Sequence, residues 1–197
     1  MDNLRISMVQ GATRWHDPDA NRGYYGGLMA PLRGLTDVVL LPETFTSGFS
    51  NDALAQAEGM DGATVSWMRD QAARLDAVVT GSVQLRDGDA VYNRLLWVTP
   101  DGGVAHYDKR HLFRFAGEHT RYAAGRERLV VECRGWRINP LVCYDLRFPV
   151  FARNRFDVER AGAPDFDLQL YVANWPAARA YAWKTLLRAR AIENLCF

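Results

Sequence analysis

The stretch Asp37-Val-Val-Leu-Leu-Pro42, followed directly by Glu43, predicts the fold class of this chain. A short run of mostly apolar residues is typical of a strand that is covered on both faces, as strands are in α/β proteins. Helical patterns lie on both sides of this strand. The first begins at Asp17, which suits an N-cap, with Pro18 at the first helical position. The second spans residues 65–75, where apolar side chains recur at helical spacing.

The rest of the chain continues this alternation of strands and helices. Further strands are predicted at residues 4–10, 77–83, 91–98, 136–143 and 167–173, with hairpin turn signals at 87–88 and 101–103 and a helix from residue 177 nearly to residue 197. Pro140 lacks the N–H that a strand ladder needs, so we expect a bulge or an edge position there. The order of elements predicts an α/β fold with some antiparallel pairing, in a single domain over residues 1–197.

Composition and charge argue against several classes of function. The 197 residues contain 24 Lys and Arg against 23 Asp and Glu, so no broad field attracts nucleic acid or an anionic membrane. No run approaches the roughly 18 apolar residues that a membrane-spanning helix needs. Three cysteines, Cys133, Cys143 and Cys196, do not make the even set of a disulfide framework, which favours a reduced compartment. The N-terminus has no signal-peptide pattern, and we expect a cytoplasmic protein.

Three charged or reactive side chains come at the ends of predicted strands. Glu43 follows the strand at 37–42, Lys109 follows the second strand of the hairpin at 101–103, and Cys143 ends the strand at 136–143. Ligands of open α/β sheets bind beyond the carboxyl ends of the strands. The three side chains are therefore candidates for one shared site.

Together these residues describe a way to cut an amide bond. The ammonium of Lys109 would lower the pKa of the Cys143 thiol and so favour the attacking thiolate. The same ammonium and the backbone N–H of Tyr144 could stabilise the oxyanion of a tetrahedral intermediate. Glu43 could take the thiol proton, pass it to the leaving amine and then activate water. Each residue alone is better explained as a buried thiol or a surface charge, so the hypothesis depends on their convergence.

Other chemistries have weaker support in the sequence. The four histidines, His16, His106, His111 and His119, form no H-E-x-x-H motif, and no papain-like pattern surrounds a cysteine. No glycine-rich loop leads into a helix, so phosphate-loop chemistry is not predicted.

The segments that carry the candidate residues resemble the nitrilase superfamily of carbon–nitrogen hydrolases. The resemblance rests, in chain order, on residues 40–49 (LLPETFTSGF), 107–113 (YDKRHLF), 141–149 (LVCYDLRFP), 172–176 (VANWP) and 188–194 (RARAIEN). It implies a four-layer αββα sandwich and a Glu-Lys-Cys triad formed by Glu43, Lys109 and Cys143. It also implies that Glu118 orients the lysine or the substrate amide. No cofactor and no metal is implied, and a homodimer or larger homo-oligomer is expected.

Within the superfamily, the pattern is most similar to the Nit/omega-amidase branch, and there to the bacterial YafV-type amidases. This resemblance implies a small-molecule amide as substrate, a short 2-oxo dicarboxylic acid monoamide such as 2-oxoglutaramate. Arg147 could bind the carboxylate of such a substrate bidentately, or form a structural ion pair with Asp145 or Asp167. Asn174 and Trp175 follow a strand end and are expected to wall the pocket, although Trp175 would equally suit the core or a dimer contact.

Two other interpretations stay open at this point. A nitrilase or a carbamoylase would have the same triad, and a non-catalytic partner module would keep the fold but act by binding. Members of the superfamily continue with further strands after the segment that matches residues 192–194. We therefore expect a carbon–nitrogen hydrolase domain that is incomplete at its C-terminus, lacks the last strands of its second sheet and is less active than a longer form.

Overall fold

The computed structural model describes residues 3–157 and 162–197, which form ten strands and four α-helices. The strands are β1 (Ile6–Met8), β2 (Val38–Leu40), β3 (Val78–Asp87), β4 (Ala90–Val98), β5 (Val104–Asp108), β6 (Val131–Cys133), β7 (Trp136–Val142), β8 (Phe156–Asp157), β9 (Ala163–Pro164) and β10 (Leu168–Val172). The helices are α1 (Pro18–Met29), α2 (Ala63–Leu75), α3 (Pro149–Ala152) and α4 (Ala180–Asn194).

Two sheets form the centre of the fold. The first has the order β1-β2-β3-β4-β5, in which β1, β2 and β3 are parallel and the β3-β4 and β4-β5 pairs are antiparallel hairpins. The second has the order β10-β7-β6, with β10 parallel and β6 antiparallel to β7. Strands β8 and β9 pair only with each other among the described residues. The predicted α/β fold with some antiparallel pairing is therefore confirmed.

Alternation along β2 shows how the first sheet is covered on both faces. Val39 and Leu41 belong to a core cluster with Met68 of α2, whereas Val38 and Leu40 belong to a second cluster. Successive side chains of a strand point to opposite faces, so each face of β2 meets its own apolar layer. This is the double coverage that the apolar run at 37–42 predicted.

The two core clusters define four layers. The first cluster joins α1 and α2 to the first sheet, through residues such as Tyr25 and Val65. The second joins the other face of that sheet to the second sheet, and Trp183 and Leu187 of α4 pack against it. The order of layers is helices, sheet, sheet, helix, which confirms the expected αββα sandwich.

Local signals in the sequence were reliable at the start of α1. Asp17 accepts a hydrogen bond from the backbone N–H of Ala20 at 3.1 Å, as an N-cap residue does, and Pro18 begins the helix. The first strand is shorter than predicted, covering Ile6–Met8 of residues 4–10. The predicted helix from residue 177 begins as a 3₁₀ turn at Ala177–Arg179 and continues as α4.

Pro140 lies in a continuous stretch of parallel pairing and not in a bulge. It is opposite Leu170 of β10, and the register runs unbroken from Ile138 to Val142 of β7. On the other side, β6 pairs only with Trp136, Arg137 and Ile138. Among the described residues Pro140 thus has a strand neighbour on one side only. Proline has no N–H to donate, and a sheet tolerates it at such an edge position.

In the part of the chain that the structure describes, no helix combines the length and the apolar character that crossing a membrane would require.

Candidate active site

The centre of the candidate site is a lysine enclosed by two glutamates. Lys109 follows β5, and its Nζ donates to Glu43 Oε1 at 2.9 Å and to the Glu118 carboxylate at 2.9 and 3.1 Å. All three side chains are 0% exposed. Burying three charges is tolerable only if they are paired and hydrogen-bonded, and here each of them is.

Asn93 of β4 completes this cluster and was missed by the sequence analysis. Its Nδ2 donates to Glu43 Oε1 at 2.9 Å and to Glu118 Oε1 at 3.2 Å, so it bridges the two carboxylates from the side of the first sheet. The backbone of Asn93 also accepts the N–H of Lys109 at 2.9 Å. No local sequence signal marked Asn93, because Arg94 follows it directly in the same strand.

Glu118 reaches the cluster from a loop of two short 3₁₀ turns, Arg114–Ala116 and Glu118–Thr120. Gly117 joins them in the left-handed conformation, with φ 73°. Glu118 Oε2 also accepts the backbone N–H of Phe113 at 2.5 Å, which ties this carboxylate to the segment that forms one wall of the cavity described below.

Cys143 sits at a sharp turn where β7 passes into the 3₁₀ turn Cys143–Arg147. Its φ of 46° is unusual for a residue with a side chain and costs about 1 kcal/mol or more. Strain of this kind persists when surrounding contacts hold the backbone, and it is often found at functional sites. The turn presents the thiol at the carboxyl end of the strand, as the sequence predicted.

Asp145 holds this turn in place. It is fully buried and accepts hydrogen bonds from the Val142 N–H at 3.1 Å, the Tyr107 hydroxyl at 2.8 Å, and both the backbone N–H and Nδ1 of His111, at 2.9 and 2.8 Å. The Tyr107 hydroxyl in turn accepts the N–H of Arg110 at 3.0 Å. One carboxylate therefore connects the turn of Cys143 to the segment that carries Lys109. The ring of His111 serves this network, which leaves it no evident role as a base for the thiol.

Asn174, two residues beyond β10, joins Glu43 to Cys143. Its backbone N–H donates to Glu43 Oε2 at 2.8 Å, and its Nδ2 donates to the Glu43 carbonyl oxygen at 2.5 Å. Its own carbonyl oxygen lies 3.8 Å from Cys143 Sγ. The sequence predicted a pocket wall at this position, and the structure adds a link between the two side chains.

The electrostatics of the cluster keep the thiol protonated. Burial and the negative charge of Glu43 raise the pKa of Cys143 well above its ordinary value, and the positive charge of Lys109 only partly opposes them. Burial would lower the pKa of Lys109, but Glu43 and Glu118 outweigh it and hold that pKa above its usual range. Burial also raises the pKa of Glu118. The expected lowering of the Cys143 pKa by Lys109 is present, but burial and the negative charge of Glu43 outweigh it.

A cavity of about 490 Å³ opens in front of the thiol. Its lining is aromatic and cationic, and consists of Phe49, Phe113, Phe115, Cys143, Tyr144, Arg147, Asn174, Trp175, Pro176 and Arg179. Cys143 faces this space, whereas Glu43, Lys109 and Glu118 lie fully buried behind it. All four residues that the sequence placed around the substrate, namely Tyr144, Arg147, Asn174 and Trp175, line the cavity. Phe49, Phe113, Phe115, Pro176 and Arg179 were not foreseen; Phe49, Phe113 and Pro176 end three of the family segments, but no role was assigned to them there.

The surroundings of Arg147 bear on its two interpretations, a substrate contact or a structural ion pair. Asp145 is occupied by the partners described above, and Asp167 pairs with Arg137 at 2.6 Å. The guanidinium of Arg147 instead lies 5.4 Å from the centre of the Trp175 ring, at the edge of the cavity. Among the described residues, Arg147 thus forms no ion pair with Asp145 or Asp167, and its guanidinium lines the cavity.

Trp175 serves both the wall and the core. Its ring lines the cavity and lies 5.0 Å from the ring of Trp183 in α4. Tyr144 on the opposite side contacts the rings of Phe113 and Phe148 at 5.0 and 5.3 Å. Over residues 3–157 and 162–197, no group of three or more His, Cys, Asp or Glu has a geometry that could hold a metal ion.

Comparison with known proteins places this geometry in a family. The family described as carbon–nitrogen hydrolase matches residues 5–197. The chain belongs to the carbon–nitrogen hydrolase family. The match spans both sheets, α1, α2 and α4, and every residue of the candidate site.

Individual relatives agree with this assignment. The chain is 49% identical over 201 residues to the omega-amidase YafV of Yersinia enterocolitica, covering 100% of this chain and 73% of that protein. It is 37% identical over 164 residues to the 2-oxoglutaramate amidase of Bacillus subtilis, covering 82% of this chain and 61% of that protein. The crystal structure of XC1258 from Xanthomonas campestris, a CN-hydrolase superfamily protein with an arsenic adduct in its active site, superimposes with a TM-score of 0.97 at 74% identity, covering 100% of this chain and 74% of that one.

The electrostatics predict how the thiol titrates. In a Cys133→Ala/Cys196→Ala background, the ultraviolet absorbance of the thiolate should appear only above the ordinary thiol pKa of about 8.5. Glu43→Gln should lower the pKa of Cys143, because it removes a negative charge that opposes the thiolate while Lys109 stays positive. Glu127→Gln, an exposed change of the same kind, is the control and should leave the titration where it is. A midpoint at or below 8.5 in the parent, or no downward shift in Glu43→Gln, would contradict this account.

Proposed function

We propose that this protein hydrolyses the terminal amide of a small carboxylate-bearing molecule, such as 2-oxoglutaramate, through a Cys143 thioester, and releases ammonia. The observation that carries the proposal is the placement of one thiol between a buried Glu-Lys-Glu cluster and a cavity edged by arginine. The names of the relatives, an omega-amidase and a 2-oxoglutaramate amidase, support the same reaction.

The first half of the reaction forms the thioester. Glu43, as the carboxylate, takes the proton of the Cys143 thiol while the sulfur attacks the amide carbon. The carbonyl oxygen becomes an oxyanion, which the Lys109 ammonium and the backbone N–H of Tyr144 stabilise. The protonated Glu43 then gives its proton to the amide nitrogen, the C–N bond breaks, and ammonia leaves.

The second half releases the acid. A water molecule enters the place that ammonia left, and Glu43 takes its proton as the oxygen attacks the thioester carbon. The C–S bond breaks, the sulfur recovers its proton from Glu43, and the carboxylic acid product departs. Glu43 is thus returned to its starting state, and Lys109 remains an ammonium throughout because two carboxylates raise its pKa.

The raised pKa of the thiol suits this sequence of steps. A thiol that stays protonated in the empty enzyme is protected from adventitious oxidation and alkylation, which act on thiolates. Proton transfer to Glu43 then occurs together with attack on a bound amide. Glu118 acts by holding Lys109, and with Asn93 it fixes the position of the ammonium between the two carboxylates.

Loss of the nucleophile provides the main test. Cys143→Ala should lower ammonia release from 2-oxoglutaramate by about a thousandfold or more, because the covalent step is removed. Cys133→Ala is the matched control, since this cysteine does not line the cavity, and it should keep parental activity. A folded parent protein that releases no ammonia would favour a non-catalytic binding module. A parent that prefers nitriles or carbamoyl compounds would favour the nitrilase or carbamoylase alternative.

Arg147 should govern the affinity for the acidic end of the substrate. Arg147→Ala is expected to raise KM for 2-oxoglutaramate roughly ten- to a hundredfold, the range for a lost charge-assisted hydrogen bond. Arg74→Ala, at an exposed position of α2 away from the cavity, is the control and should leave KM unaltered. An unchanged KM in Arg147→Ala would remove Arg147 from the substrate site.

We also propose that residues 1–197 belong to a single carbon–nitrogen hydrolase domain and that the protein is a cytoplasmic homodimer. The exposed apolar side chains of α4, Tyr181 and Ile192, offer a surface for a second copy, and all three cysteines are free, as in a reduced compartment. Sedimentation equilibrium should give a dimer, and Tyr181→Glu should shift it toward monomer. A monomer at all protein concentrations would contradict the assembly, and cell fractionation would test the location.

A further inference from the structure

The cavity contains a second guanidinium that the proposed reaction does not use. Arg179 ends the 3₁₀ turn Ala177–Arg179, and its guanidinium carbon lies 5.5 Å from the centre of the Phe113 ring. It lines the same space as Arg147 and Cys143. Within residues 3–157 and 162–197, neither Arg147 nor Arg179 forms an ion pair with an acidic side chain, and both are solvent-exposed.

Trp175 positions both arginines. Its ring face lies under the guanidinium of Arg147 at 5.4 Å, and its Nε1 donates to the backbone carbonyl oxygen of Arg179 at 3.0 Å. An aromatic face attracts a guanidinium, and the hydrogen bond fixes the main chain from which Arg179 extends. The two cations are therefore held relative to one another by a side chain that is itself packed against α4 through Trp183.

The charged side chains that line the cavity are all positive. Its residues include two arginines and, as described above, no aspartate or glutamate. Such a lining attracts carboxylates and other oxygen acceptors, and it offers nothing to neutralise an ammonium. Of two amides that differ only in having an oxo or an ammonium group beside the carboxylate, the cavity would therefore bind the oxo compound more tightly.

We propose that Arg179 is a specificity-determining residue that, together with Arg147, selects amides of 2-oxo acids over amides of 2-amino acids. One guanidinium binds the carboxylate and the other donates to the neighbouring oxo group, whereas an ammonium at that position faces two uncompensated positive charges. This inference rests on the proposed amidase function. It adds to that function a preference for an oxo group over an ammonium group on the substrate carbon next to the carboxylate.

The test compares kcat/KM for 2-oxoglutaramate with that for glutamine, which has the ammonium in place of the oxo group. Arg179→Met keeps the length of the side chain but removes its charge and its donors. We expect the ratio of the two kcat/KM values to fall roughly ten- to a hundredfold, mostly through a higher KM for 2-oxoglutaramate. Arg179→Lys keeps the charge but not the planar fork and should restore part of the ratio. Arg74→Met, at an exposed position of α2 away from the cavity, is the matched control and should retain the parental ratio.

The possible outcomes separate this inference from the function on which it rests. If the parent releases ammonia but Arg179→Met retains the parental ratio, the role of Arg179 is wrong and the amidase stands. If the parent releases no ammonia from either compound, the proposed function itself fails. Thermal unfolding of each variant is monitored by circular dichroism. A normal melting temperature with a lowered ratio supports the proposal, and a lowered ratio that Arg179→Lys does not raise at all would count against it.

Discussion

The interaction on which the site depends is the pairing of the Lys109 ammonium with two carboxylates, all three of them fully buried. A buried charge that loses its partner destabilises a protein by about 3–5 kcal/mol, so Glu43, Glu118 and Lys109 have to be brought together as a set. They come from three separate segments, each placed by the end of a strand or by a loop next to one. The positions of β2, β4 and β5 in one sheet are therefore constrained by electrostatics as well as by apolar packing.

This constraint extends to the backbone around Cys143, the proposed nucleophile. Cys143 and Thr44 are both non-glycine residues with positive φ, at 46° and 47°, and each is next to or part of the reacting group. Thr44 donates its N–H to Ser82 Oγ at 2.9 Å, and the turn of Cys143 is held by Asp145. The strained conformations are thus held by hydrogen bonds to Ser82 of β3 and to Asp145 of the Cys143 turn itself, which keeps the thiol and the proposed base Glu43 in a fixed relation.

The sequence predicted those elements and site positions that depend on a short stretch of neighbouring residues. The apolar run at β2, the N-cap at Asp17 and the strand-end positions of Glu43, Lys109 and Cys143 follow from periodicity and topology, and the family motifs added Glu118. The role of Asn93 and the availability of Arg147 could not be derived, because they depend on which partners are already engaged in space. The effect of Lys109 on the thiol was predicted with the right sign but the wrong outcome, since burial and a second carboxylate enter only in three dimensions.

The contact between Asn174 and Glu43 has a consequence for how the protein matures. These residues are 131 positions apart, and Asn174 supplies one of the hydrogen bonds that fix the base. A loop of that length closes late, because its entropy must be overcome before any native contact compensates for it. During synthesis on the ribosome, Cys143 emerges well before Asn174. The nascent chain therefore carries its proposed nucleophile for some time without the Asn174 contacts to Glu43, which form only when β10 docks beside β7.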